Sequence, residues 1–239
     1  MAVKALLFDV FGTLVDWRSG VARDAEAVVA RYGEAVVDWG AFADAWRARY
    51  DPQMEPVRSG QRPWTNLDVL HREALDGVLH QFELDAVTPD DRDRMTLAWH
   101  RLDPWPDVVE GLLRLRQRVL LAPCSNGHIA LQVGLARHAG LPWDAILGAE
   151  IARAYKPDPA VYLRSVEALG LEPAEAMMVA AHPSDLRAAA ACGLRTAFIP
   201  RPQEQGPDGR RPPAVDPGAD IVAADLVELA ELLDAAPAP

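Results

Sequence analysis

Four short segments carry side chains able to do chemistry. The first runs from Lys4 to Asp16, K-A-L-L-F-D-V-F-G-T-L-V-D, where Asp9 follows the apolar run Ala5 to Phe8 and precedes Gly12 and Thr13. The second is Cys124-Ser125-Asn126-Gly127-His128. The third is Ala154-Tyr155-Lys156-Pro157-Asp158-Pro159, with Tyr162 just beyond, and the fourth Ala180-Ala181-His182-Pro183-Ser184-Asp185. A carboxylate can attack an electrophilic carbon, and a second carboxylate or an imidazole can take the proton of a water. Hydroxyl and amide groups beside backbone N–H groups at a helix start can hold an anion. Lys156 stands out by type, because of 24 basic residues 22 are Arg and only Lys4 and Lys156 are Lys. A compact ammonium whose pKa shifts readily differs from a fixed guanidinium fork. Taken singly, each segment reads equally well as a turn or a capped helix start.

The elements that must position these groups follow from the apolar pattern. Short apolar runs ending in polar turns read as buried parallel strands: Ala5–Phe8, Val119–Ala122, Ala145–Ala149, Ala176–Ala181 and Thr196–Ile199. Helical spacing fills the intervals at Val108–Leu115, Ile129–His138, Pro159–Leu169 and Ser184–Cys192. Arg201–Gly218 reads as a loop, and Ile221–Leu233 as strand plus helix. Such alternation predicts a parallel sheet covered on both faces, with ligands outside the carboxyl ends of its strands.

Residues 17–102 break the rhythm and read as helical throughout. Val21, Ala25, Val28, Val29 and Tyr32 form one stripe before Gly33, and Trp39, Phe42, Trp46 and Tyr50 form another after Asp38. Arg47 and Arg49 flank that second stripe, and spacing alone does not choose between them. Pro52–Pro63 reads as a loop, Thr65 and Asp68 as a capping box, and Thr88-Pro89 with Asp90 and Asp91 as a helix start. The expected fold is α/β: a doubly wound parallel-sheet, Rossmann-like core of residues 1–16 and 103–239, with an inserted helical cap domain of residues 17–102.

A net charge of -11 argues against nucleic acid or an anionic membrane as partner, since both call for a basic face. No apolar run approaches the roughly 20 residues of a membrane span, and no signal-peptide pattern is seen, so a cytoplasmic protein is expected. Cys124 and Cys192 read as packed thiols of a reducing compartment.

The segment D-V-F-G-T-L resembles the D-x-x-x-T-L signature of the haloacid dehalogenase superfamily, and Ser125, Lys156 and Asp185 match its later motifs in order. Within it, D-V-F-G-T-L-V-D-W, S-N-G, Y-K-P-D-P-x-V-Y and the W-R pair at Trp46 resemble the type II (S)-2-haloacid dehalogenases. The resemblance implies Asp9 as a nucleophile that forms an aspartyl ester, with Lys156 offsetting its charge and Asp185, together with His182, handling the water. It further implies that Ser125, Asn126 and the amides of Val10 and Phe11 hold the substrate carboxylate, that Arg47 receives the halide with Asn126, and that Thr13 and Tyr162 support Asp9 and Lys156. No metal or cofactor is implied, the partner is a small anionic halogenated acid, and a homodimer is suggested. Phosphatases of the superfamily carry a second Asp where this chain has Phe11; a halide leaves as a stable anion and needs no such acid. Two departures stand out. Ala180-Ala181-His182 replaces a Ser-Ser-Asn turn, and Ser184 stands where a bulky aromatic is common. A phosphatase and a non-catalytic binder of the same fold are the competing readings.

Overall fold

The computed structural model describes residues 2–33, 35–206 and 218–235. Strand β1 (Ala5–Phe8) is buried at every position. Leu6 and Phe8 pack into one apolar cluster and Leu7 into another on the opposite face, which is why the run is continuously apolar rather than alternating. Around it lie β2 (Leu120–Ser125), β3 (Leu147–Gly148), β4 (Ala176–Ala180), β5 (Arg195–Phe198) and β6 (Ile221–Val222). The six strands are parallel in the order β3-β2-β1-β4-β5-β6. The chain therefore winds outward in both directions from β1, and the crevice at such a switch point opens beyond its carboxyl end, where Asp9 follows.

Between β1 and β2 the chain forms an inserted helical cap. Its helices are α1 (Trp17–Val29), α2 (Trp39–Arg47), α3 (Tyr50–Arg58), α4 (Leu67–Gln81) and α5 (Pro89–Thr96), followed by a 3-10 turn over Leu97–His100. The caps are local: Asp16, Asp38, Asn66 and Thr88 each accept a backbone N–H of the first turn through the side chain. Two expectations fail here. The cap of α4 is Asn66, one residue past Thr65, whose hydroxyl bonds the Pro63 carbonyl instead. The segment read as a loop from Pro52 is largely α3; Pro52 falls in its first turn, where no intrahelical N–H is needed, and Pro56 is tolerated inside.

The other helices are α6 (Val108–Leu115), α7 (Ile129–Ala139), the single turn α8 (Ala149–Ala152), α9 (Pro159–Ala168), α10 (Pro183–Ala191) and α11 (Leu226–Ala235). Strand β2 runs further than expected, to Ser125, and β3 is shorter, because only Leu147 and Gly148 find ladder partners on β2. Most of the expected loop from Arg201 lies outside the described residues. Its first part, up to Gly206, packs against the core, with Arg201 paired to Asp107 at 2.7 Å. Among the described residues no helix is long and apolar enough to cross a membrane.

Candidate active site

The four segments meet at the carboxyl ends of β1, β2 and β4. The Asp9 carboxylate, 7 % exposed, is gripped from three sides. Thr13 Oγ1 donates to Oδ2 at 2.6 Å, Lys156 Nζ donates to Oδ1 at 3.0 Å, and His182 Nδ1 lies 2.9 Å from Oδ2. Thr13 is itself fixed by accepting the Ala181 N–H at 2.9 Å. Lys156 also donates to Asp185 Oδ2, and Tyr162 donates to Asp185 Oδ1 at 2.5 Å. The loop carrying Lys156 is held by Asn126, whose Oδ1 accepts the Lys156 N–H at 2.8 Å.

These groups tune one another. Burial pushes the Asp9 carboxyl up, but Lys156, His182 and Thr13 outweigh it and hold the acid well below the usual carboxylate range. Burial equally opposes the Lys156 charge, and Asp185 with Asp9 keeps the ammonium far above its ordinary value. Asp185 is raised by burial, and by the nearness of Asp9, against the pull of Lys156. Asp9 is thus ionised at neutral pH, the state a nucleophile needs.

A cavity of about 420 Å³ opens over Asp9. The core lines it with Phe11, Asn126, Lys156, Pro157, Tyr162, His182, Ser184 and Asp185, and the cap with Arg47, Tyr50, Asp51 and Arg58. The Arg47 guanidinium stacks 4.0 Å from the centre of the Tyr50 ring, which aims it into the cavity. Arg49 turns away, its guanidinium lying near Gly77. Of the residues expected at the site, Val10 and Ser125 do not line the cavity, nor does Thr13, whose expected part was to support Asp9. Val10 is fully buried in the core, Thr13 backs Asp9, and Ser125 Oγ accepts the Gly127 N–H at 3.1 Å.

Three groups escaped the sequence reading. Arg58 was hidden by the loop assignment of Pro52–Pro63, and Asp51 lies just before it with no motif to mark it. Glu204, beyond β5, places both carboxylate oxygens 3.1 Å from His182 Nε2 and accepts the Trp17 indole N–H at 3.1 Å. No local motif marks Glu204, but Gly12 does so indirectly: a Cβ there would lie 2.2 Å from Glu204 Oε1. Gly12 also has φ +85°, so Gly12→Ala is expected to cost about 1–2 kcal/mol of stability and to displace Glu204, as urea unfolding with an activity assay will report.

The comparisons with known proteins agree with this geometry. The profile of the haloacid dehalogenase-like hydrolases matches residues 3–193. The chain belongs to that family. An (S)-2-haloacid dehalogenase of Pseudomonas sp. (strain YL) is 32% identical over 206 residues, covering 83% of each chain. The crystal structure of a defluorinating L-2-haloacid dehalogenase is 48% identical with a TM-score of 0.94, covering 98% of this chain and 96% of that one. The L-2-haloacid dehalogenase of Xanthobacter autotrophicus, solved with chloropropionic acid covalently bound, is 25% identical with a TM-score of 0.79, covering 98% of this chain and all of its own.

This haloacid dehalogenase-like hydrolase also has a second polar cluster, none of whose residues lines the cavity over Asp9. Asp68 on α4 pairs with His100 at 2.9 Å and with His128 at 3.4 Å. Their ligating atoms lie within 4.8 Å of one another. The two imidazoles drive the Asp68 carboxyl down despite its burial. The cluster joins the cap to the start of α7.

Proposed function

We propose that the chain hydrolyses a small (S)-2-haloacid, or a haloacetate, to the 2-hydroxy acid through an ester on Asp9. The observation that carries this reading is the Asp9 carboxylate itself. It is kept ionised by Lys156 at the floor of a small cavity, with Phe11 two residues on, where a leaving alcohol would need an acid. Asp9 displaces the halogen with inversion at C2, and the carbon–halogen electron pair leaves as halide. Water then attacks the Asp9 carbonyl carbon and frees the hydroxy acid.

The lining fits an anionic substrate. Arg47, Arg58 and Lys156 face the space, and Asn126, its Oδ1 already engaged, presents its NH2 group to the substrate or the halide. Residues 17–102 serve as the lid that excludes water during displacement. Near Asp9 the oxygens of Asp185 are taken by Lys156 and Tyr162, which leaves a poor donor set for magnesium. A cytoplasmic setting suits the two free thiols, Cys124 and Cys192.

The test is chloride release from (S)-2-chloropropionate and from chloroacetate in the presence of a chelator. Metal-independent release is expected. Magnesium-dependent cleavage of phosphate esters, with no halide from either acid, would overturn the proposal.

A further inference from the structure

The imidazole of His182 is suspended between two carboxylates. Nδ1 lies 2.9 Å from Asp9 Oδ2 and Nε2 lies 3.1 Å from both oxygens of Glu204. A neutral ring has one N–H and could serve only one of them; an imidazolium serves both. We infer that Glu204, acting through His182, times the proton of the reaction: the imidazolium beside Asp9 gives up its Nδ1 proton when the ester forms, and the neutral ring left on Glu204 then takes the proton of the hydrolytic water. This rests on the dehalogenase reading above.

The charges around the ring support the timing. Burial works against the imidazolium, yet Asp9 and Glu204 push His182 up to about 10, so the ring is charged in the resting site at neutral pH. Glu204 stays ionised: burial opposes it, but His182 and the Trp17 N–H hold it below its ordinary value, and Arg47 lends further positive potential. The remaining charges face elsewhere, with Lys156 on the other oxygen of Asp9 and Asp185 behind that ammonium. Esterification cancels the Asp9 charge and removes one of the two anions that kept the ring protonated. The imidazole pKa then falls, and a base appears beside the carbonyl carbon only once there is an ester to hydrolyse. Asp185 is less well placed for that role, because the ammonium stands between it and Asp9.

The proton count closes. In the first step the haloacid alkylates Asp9, halide departs, and the Nδ1 proton goes to solvent. In the second, water gives a proton to Nδ1 as its oxygen bonds to the Asp9 carbonyl carbon. Collapse breaks the bond between the Asp9 carbonyl carbon and the substrate oxygen, and that oxygen takes up the other proton of the water from the hydroxyl left on the carbon. Asp9 returns as carboxylate and His182 as imidazolium. One water and one haloacid anion enter; one hydroxy-acid anion, one halide and one proton leave, the proton in the first step.

The experiment is a single turnover of (S)-2-chloropropionate with enzyme in excess, in weakly buffered solution, following chloride, a pH-indicator dye and the mass of the peptide bearing Asp9. In Glu204→Gln the ester is expected to persist, its hydrolysis slowed by about 10²-fold or more, with about one proton per chloride appearing before it decays. The apparent pKa of the hydrolysis step should also fall, because the ring has lost its remaining anion, an effect that loosened packing would not produce. In His182→Gln, which serves if the first variant misfolds, chloride should appear without the proton and the ester should again persist. Proton release that tracks ester decay in Glu204→Gln, or ester hydrolysis there at the wild-type rate, overturns the inference. A wild-type chain that releases no chloride overturns the dehalogenase reading itself, and the chloride trace separates the two failures.

Discussion

Asp9→Asn is expected to lower halide release by roughly 10⁴-fold or more while the chain stays folded. A neutral amide has no anionic oxygen to attack C2, and the other acids are engaged elsewhere: Asp185 is held behind the ammonium, Glu204 behind His182, and Asp51 is paired with Arg58 on the cap. The fold should tolerate the change because the site can rebalance its charge. Asp9, Asp185 and Glu204 are matched by Lys156, His182 and Arg47, and loss of one anion is answered by loss of the His182 proton. The Thr13 hydroxyl still has an acceptor in the Asn side-chain carbonyl. Chloride assays beside thermal melts will test this. A variant that releases halide at more than a few per cent of the wild-type rate would remove Asp9 from the mechanism.

Lys156→Met should be the most damaging single change to stability. It keeps most of the apolar stem but strands the Asp9 and Asp185 carboxylates, which share one ammonium in a nearly dry site. Breaking a buried pair from one side costs about 3–5 kcal/mol. The pH dependence fixes the interpretation. In the wild type the depressed Asp9 pKa contributes stability that is present above its unfolded value and lost as pH falls. In the variant Asp185 is raised further and Asp9 keeps only His182 and Thr13 to offset its burial, so the deficit is largest near neutral pH and shrinks in acid as the carboxyls protonate. Urea unfolding at pH 7 and near pH 4 should show the gap between the two chains narrowing. A gap that is constant with pH would mean lost packing rather than stranded charge. Activity should vanish with the ammonium.

Much of the architecture was legible because its signals are local. The continuous apolar run before Asp9 announced a strand buried on both faces, and the polar turns after β2 and β4 announced the side on which chemistry sits. Asp9, Lys156 and His182 lie just past an element, and Tyr162 and Asp185 near the starts of α9 and α10, so each place in the network is written in a few local residues. What stayed hidden depends on distant packing. Two prolines made α3 look like a loop, although one falls where a helix has no use for the N–H and the other is tolerated. Ser125 looked like a ligand of the substrate, but it lies off the cavity lining, its oxygen accepting an N–H of its own turn. Glu204 follows its strand by several residues in a proline-rich stretch, and only the three-dimensional path past Gly12 brings it to His182.

Two ties join the cap to the loop that bears the ammonium: Arg58 Nε donates to the Lys156 carbonyl at 2.9 Å, and the Tyr155 hydroxyl donates to the Thr65 carbonyl at 2.6 Å. Both run to main-chain oxygens, so they survive side-chain changes at Lys156 and Thr65. Any lifting of the cap would break both ties at once and loosen the segment that carries the counter-charge of Asp9. The grip on the carboxylate and the cover over the cavity are in this way one mechanical unit, since the helix that bears Arg58 also lines the cavity through Tyr50 and Asp51.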